Sequence, residues 1–121
     1  MKIIVADDSR LVRGIVEKIV VSMGFEAVPA ANGQEALDLL EAGGIDMVLL
    51  DWNMPIMNGM DVIKTMRSDE SFRQIPVLMV STESEDERIR QALEAGAQGY
   101  LPKPFTPEQL TGAIRRVLSM T

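Results

Sequence analysis

The chain has 121 residues, 46% hydrophobic and 25% charged, with a net charge of −6, which is the size and balance of one domain around one core. An acidic chain without a basic run is not built to hold DNA or RNA by phosphate contacts. With neither cysteine nor histidine it has no disulfide, no thiol or imidazole catalyst and no ordinary zinc site.

No apolar stretch approaches the roughly 18 residues of a membrane span, and the N-terminus lacks the apolar stretch and cleavage site of a secretory signal. A cytoplasmic protein without membrane insertion is therefore expected.

Short apolar runs alternate with helical patterns. Lys2–Ala6 is β-branched and continuous, and predicts a strand. Ser9 is placed to cap a helix with Leu11, Val12, Ile15, Val16, Ile19, Val20 and Met23 on one stripe, stopped by Gly24. Glu26–Ala30 is a weaker strand pattern. Asn32, with Glu35 three residues on, caps a helix whose inner side is Ala36, Leu37, Leu39 and Leu40, and Gly43-Gly44 ends it.

Asp46–Asp51 predicts a buried strand. Pro55 and Gly59 break the following loop, in which Met54 and Met57 are candidates to line a site mouth and Trp52 is expected to be partly exposed. Met60, Ile63 and Met66 mark a third helix, and Met47, Met60, Met66 and Met79 suit core positions. Pro76 introduces the strand Val77–Ser81. Ser84-x-x-Glu87 predicts a capping box ahead of Ile89, Ala92 and Leu93, with Gly96 as terminator. Gly99–Pro102 is a short strand. Thr106-Pro107-Glu108-Gln109 combines an N-cap, proline at the first helical position and a second capping box, and the final stripe is Leu110, Ala113, Ile114, Val117 and Leu118.

Five strands and five helices in strict alternation predict a doubly wound α/β fold, a parallel sheet covered on both faces. A single domain over residues 1–121 without an output domain is expected.

In such a sheet ligands bind beyond the carboxyl ends of the strands, and the polar residues at those ends form a set. The first strand leads to Asp7 and Asp8, the third to Asp51 and then Asn53, the fourth to Ser81 and then Glu83, the fifth to Lys103. Taken singly, each has an ordinary structural explanation as a cap, turn former or solvated charge. Caps with no common purpose would scatter over both edges of the sheet, whereas these share one.

Clustered carboxylates repel unless a cation neutralises them, and a site without imidazole or thiolate calls for a hard, oxygen-loving ion, Mg²⁺. Phosphoryl transfer needs this kind of equipment, because the protein's work there is positioning and charge neutralisation. A carboxylate can accept the group as an acyl phosphate. Asp51, alone on a central strand, is the candidate acceptor; Asp7 and Asp8 are the candidate metal pair, Ser81 a hydroxyl donor and Lys103 a charge clamp.

Four segments, Val5-Ala-Asp-Asp-Ser9, Leu49-Leu-Asp-Trp-Asn-Met-Pro55, Pro76-Val-Leu-Met-Val-Ser-Thr-Glu83 and Gly99-Tyr-Leu-Pro-Lys-Pro-Phe105, together resemble the receiver domain of bacterial two-component response regulators, and most nearly its stand-alone chemotaxis members. The resemblance spans essentially the whole chain. It implies a flavodoxin-like (βα)5 fold with strand order 2-1-3-4-5, for which receiver domains are a standing example.

It implies that Asp51 is the phosphorylated aspartate, that Asp8, Asp51 and the backbone carbonyl of Asn53 bind Mg²⁺ directly, and that Asp7 acts through water. Ser81 and Tyr100 would be switch residues, Lys103 the phosphate-pairing lysine with a cis bond to Pro104, and Asn53 and Glu83 the residues that tune the lifetime of the acyl phosphate. A histidine kinase as donor, a downstream protein target such as a flagellar motor switch, and a phosphatase are the partners it implies.

Two departures from the family stand out. Ser81 replaces the commoner threonine. Pro102 occupies the last strand, which places that strand at a sheet edge and reshapes the surface around it.

Three other functions compete. A phosphorelay intermediate or phosphate sink would need no effector surface. A Mg²⁺-dependent phosphohydrolase of the haloacid dehalogenase type needs a second acid two residues after its nucleophile, where this chain has Asn53, and a cap domain that it lacks. FMN binding needs a hydroxyl-rich loop where this chain has Asp7-Asp8-Ser9-Arg10. Beyond self-phosphorylation and autodephosphorylation, no enzymatic turnover is expected.

Overall fold

The computed structural model describes residues 1–120. The elements run β1 (Lys2–Ala6), α1 (Arg10–Ser22), β2 (Glu26–Ala30), α2 (Gly33–Ala42), β3 (Met47–Leu50), α3 (Gly59–Ser68), β4 (Val77–Ser81), α4 (Asp86–Ala95), β5 (Gly99–Pro102) and α5 (Pro107–Leu118). All strand pairs are parallel, in the order β2-β1-β3-β4-β5. This is the expected flavodoxin-like sheet, with β3 at its centre.

The sheet divides the core. On one face Ile4, Ala6, Val48, Leu50, Val77 and Met79 pack against α2, α3 and α4. On the other, Ile3, Val5, Met47, Leu49, Leu78 and Val80 pack against α1 and α5. Alternate residues of each strand therefore serve opposite layers, so the strands are apolar throughout. Both edge strands carry a proline, Pro29 on β2 and Pro102 on β5, where a missing N–H leaves no partner wanting.

Helix starts follow the local chemistry in four of five cases. Ser9, Asn32 and Asn58 each accept a backbone N–H in the first turn, and Thr106 forms the complete capping box with Gln109. The box expected at Ser84 and Glu87 does not form. Helix α4 begins at Asp86 with Glu85 as N-cap and no side-chain capping bond. Ser84 lies one residue too early, because the segment before the helix is fixed at Glu83 by a local bond of its N–H to Ser81 Oγ and by the Tyr100 hydroxyl on its carbonyl.

Other expectations about burial also change. Leu11 and Ile15 are exposed, at 75% and 47%. They lie off the stripe that faces the sheet, and Ile15 borders a groove of about 400 Å³ with Val12, Pro104 and Phe105. Leu93 is exposed and Met60 only partly buried. Trp52 is buried, at 7% exposure, and Met54 belongs to the same core cluster, with Met57 packed against it. Trp52 and Met54 of the loop after Asp51 are thus folded into the core instead of standing around a site mouth, while Ile56 between them and α3 stays exposed.

Candidate functional site

The parallel ladder itself aligns the site. Beyond the strands proper, Asp7 N–H donates to Ala30 O at 3.0 Å, Asp51 N–H to Ala6 O at 3.0 Å and Lys103 N–H to Ser81 O at 2.8 Å. These bonds continue the sheet by one residue at its carboxyl edge. They hold Asp7, Asp51, Ser81 and Lys103 on adjacent strands, as the sequence pattern predicts.

Three acids converge there. Carboxylate oxygens of Asp7, Asp8 and Asp51 lie within 4.8 Å of one another, with Asp7 and Asp51 buried and Asp8 exposed. Asp7 is held on all sides: Oδ1 accepts from Ser9 N–H at 2.9 Å, Oδ2 from Lys103 Nζ at 2.7 Å, and its carbonyl from Arg13 Nη1 at 2.8 Å. Asp51 Oδ2 accepts from Lys103 Nζ at 3.1 Å. Asp51 Oδ1 is buried and has no hydrogen-bond partner among the described residues.

An orphaned, buried carboxylate oxygen is costly, and its presence in a native site asks for a ligand. The candidate ligand side chains gathered there, Asp7, Asp8 and Asp51, offer oxygens alone, which suits a hard divalent cation. Asp7, Asp8 and Asp51 therefore fit a metal.

The electrostatics agree. Burial pushes the Asp51 carboxyl above its usual value and the neighbouring Asp7 charge adds to this, while Lys103 and the Ser81 hydroxyl, which faces Asp51 without a well-formed hydrogen bond to it, pull the other way. Burial alone would lower the Lys103 ammonium. The hydrogen bond to Asp7 and the charges of Asp51 and Asp7 outweigh it and hold Lys103 above its usual value.

The remaining residues of the predicted set form a second layer on the β4 side. Ser81 is fully buried, and its Oγ accepts from Glu83 N–H at 3.3 Å. The Tyr100 hydroxyl donates to the Glu83 carbonyl, and burial pushes its phenol upward. Asn53 Nδ2 donates to Glu83 Oε1 at 3.0 Å. Asn53, Ser81, Glu83 and Tyr100 are therefore one connected chain of contacts. The bond between Lys103 and Pro104 is cis.

Sequence reading misses one feature of this site. A Cβ on Gly59 would stand 2.2 Å from the Asp51 carbonyl oxygen, while Gly59 N–H donates to Trp52 O at 2.8 Å. Gly59 reads as a loop breaker in the sequence, but its lack of a side chain lets α3 start directly beneath Asp51.

Comparison with known proteins agrees with this geometry. Residues 3–115 match the family described as response regulator receiver domain. The chain is 42% identical over 120 residues to the chemotaxis protein CheY1 of Helicobacter pylori, covering 98% of this chain and 97% of that one. It is 40% identical to the chemotaxis protein CheY-3 of Vibrio cholerae, covering 97% and 91%.

Among solved structures, the chemotaxis response regulator CheY4 of Vibrio cholerae superposes with a TM-score of 0.90 at 35% identity, covering 96% of this chain and 97% of that one. The receiver domain of the Francisella response regulator 1452 gives a TM-score of 0.90 at 27% identity, covering 98% and 97%. With its fold, its acidic cluster and its near full-length likeness in agreement, the chain belongs to the response regulator receiver family, among the CheY-like response regulators.

Proposed function

We propose that this protein is a phosphorylation-controlled signalling switch. It accepts a phosphoryl group on Asp51 from a histidine kinase, with Mg²⁺, and thereby alters a surface that binds a downstream protein. The observation that carries the reading is the state of Asp51: one oxygen held by Lys103, the other buried and unpartnered, beside two further acids.

Asp8, Asp51 and the Asn53 carbonyl would hold the cation directly, with Asp7 acting through water. When bound, the cation supplies neutralisation of the acidic cluster and of the incoming phosphoryl oxygens. The protein's own groups do the rest. An Asp51 carboxylate oxygen attacks phosphorus, the O–P bond forms as the P–N bond of a phosphohistidine breaks, and the bonding pair leaves with the imidazole nitrogen. Lys103 is free to follow the charge onto the phosphoryl oxygens, since its ammonium is a mobile point donor.

The Ser81 hydroxyl donates to another phosphoryl oxygen, giving up its bond to Glu83 N–H. That movement releases the segment to which Tyr100 is tied, and Ser81 with Tyr100 forms the switch. Asn53 and Glu83 stand at the rim and set how readily water reaches the acyl phosphate. Self-phosphorylation and autodephosphorylation are the extent of its catalysis.

It acts in the cytoplasm on a separate target protein, a reading supported by likeness to chemotaxis proteins over nearly their whole length. Likeness to chemotaxis proteins favours a flagellar motor switch as that target and a dedicated phosphatase as a further partner. Incubation with acetyl phosphate and Mg²⁺ tests the chemistry: mass spectrometry should find one adduct, on Asp51, that is absent without the metal. Swimming reversals lost on deletion would support the motor role. Unchanged swimming with altered kinase-linked transcription would favour a relay or sink.

A further inference from the structure

Helix α4 is held by little. It buries a single side chain, Ala92, and its N-terminus has no capping side chain. Its C-terminal end is fixed by Arg67, whose Nε and Nη2 donate to Gly96 O at 3.0 and 2.9 Å. At the other end stands Arg88, with its guanidinium carbon 5.3 Å from the centre of the Trp52 ring.

The neighbouring Arg90 is paired with Glu87 and Glu94. Arg88 makes no ion pair among the described residues and places its charge on the indole instead. A guanidinium at this distance from an indole face is attracted by the ring quadrupole, and tryptophan is the strongest of the aromatic partners. The ring is well anchored: Trp52 is 7% exposed, sits in the core cluster, and its carbonyl accepts from Gly59 N–H at 2.8 Å. It also follows Asp51 directly in the chain.

We propose that Arg88 is a positioning residue that clasps the first turn of α4 to the loop carrying Asp51, so that a change at Asp51 reaches α4 through the indole of Trp52. The bridge between Asn53 and Glu83 at 3.0 Å lies beside this clasp and joins the same two segments ahead of the helix. Arg88 touches neither the acids nor Lys103, and its part is to decide where α4 begins to be held. This goes beyond the function proposed above, and its coupling half rests on Asp51 being the phosphoacceptor.

The clasp itself is tested without metal or phosphate. Trp52 is the single tryptophan, so no other indole contributes to the emission, and without metal or phosphate a change on substitution of Arg88 reads the surroundings of this ring. Arg88→Ala should shift the emission to the red and raise amide exchange in the first turn of α4 several-fold, with α5 unchanged. Arg88→Lys should restore most of both, and Arg90→Ala on the same helix should leave Trp52 unaffected. Equal emission and exchange in Arg88→Ala and wild type, or the same emission shift from Arg90→Ala, would overturn the clasp.

Acetyl phosphate with Mg²⁺ then tests the coupling. Exchange in the first turn of α4 should change in the wild type and not in Arg88→Ala, at equal adduct yield. An adduct with the same α4 response in both proteins overturns the inference alone. No adduct in the wild type overturns the reading of Asp51, and the coupling with it.

Discussion

Lys103 is held more closely by Asp7 than by Asp51: its ammonium lies 2.7 Å from Asp7 Oδ2 and 3.1 Å from Asp51 Oδ2. The lysine is thus parked on the carboxylate whose other oxygen already accepts from Ser9 N–H, and Asp51 keeps a bare oxygen. This asymmetry sets what each substitution should do.

Asp51→Asn should stabilise the metal-free protein at neutral pH by about 1–3 kcal/mol, the range for relieving a buried unsatisfied group. Lys103 is not orphaned by the change, because Asp7 holds it. The sign with pH follows from the raised Asp51 carboxyl. At neutral pH both folded and unfolded chains are ionised at Asp51, and the fold bears the full cost of a charge it disfavours. As pH falls through the folded-state value the fold takes up a proton first and the cost shrinks. Below the ordinary carboxylate value it is gone. Thermal melts of the two proteins should therefore converge on acidification, and a gap that widens would contradict the argument.

Lys103→Met should destabilise the metal-free protein by roughly 3–5 kcal/mol, since it leaves two buried carboxylates without a counter-charge. The Lys103 value is raised in the fold, so its contribution is complete below the ordinary lysine value and is lost as pH rises through the folded-state value. The wild type should lose stability at strongly alkaline pH by a step that Lys103→Met lacks. Mg²⁺ should recover more stability in the variant than in the wild type, which denaturant titrations with and without the ion will measure.

Mg²⁺ should alter Trp52 emission, chelation should reverse the change, and Asp51→Asn should weaken it. Protonated carboxylates are poor ligands, so apparent affinity should fall as pH drops. A titration curve indifferent to pH across the carboxylate range, or identical in the variant, would count against a shared acidic site.

Gly59→Ala should cost at least about 2 kcal/mol, because its Cβ would stand 2.2 Å from a backbone oxygen that cannot move aside. The contact is with Asp51 itself, so adduct formation should fall as well. Gly112→Ala, with nothing within 4 Å of the added carbon in the middle of α5, should instead stabilise by about 0.5–1 kcal/mol. Paired melts of the two variants separate local clash from general intolerance.

Much of this molecule was legible in its residues. Continuous apolar strands alternating with one-sided helical stripes specify a covered parallel sheet, because no other arrangement buries both strand faces. A polar residue following each run is carried to the same edge by chain direction, which is why Asp7, Asp8, Asp51, Ser81 and Lys103 could be grouped. Local capping chemistry likewise announced itself at Asn32 and Thr106.

What pattern could not supply was distance and contact. Periodicity places Leu11 and Ile15 near a buried stripe, but only the packing of α1 leaves them outside it. The Ser84 box had the right spacing and lost to the hold that Ser81 and Tyr100 have on Glu83. Trp52 and Met54 read as loop residues and prove to be core, and Arg88 finds its ring across a gap of 36 residues. Which oxygen of Asp51 is bare, and which carboxylate keeps Lys103, depends on separations of a few tenths of an ångström between strands far apart in the chain. Only the folded sheet sets those separations, since side chains choose partners by proximity and composition carries no coordinates.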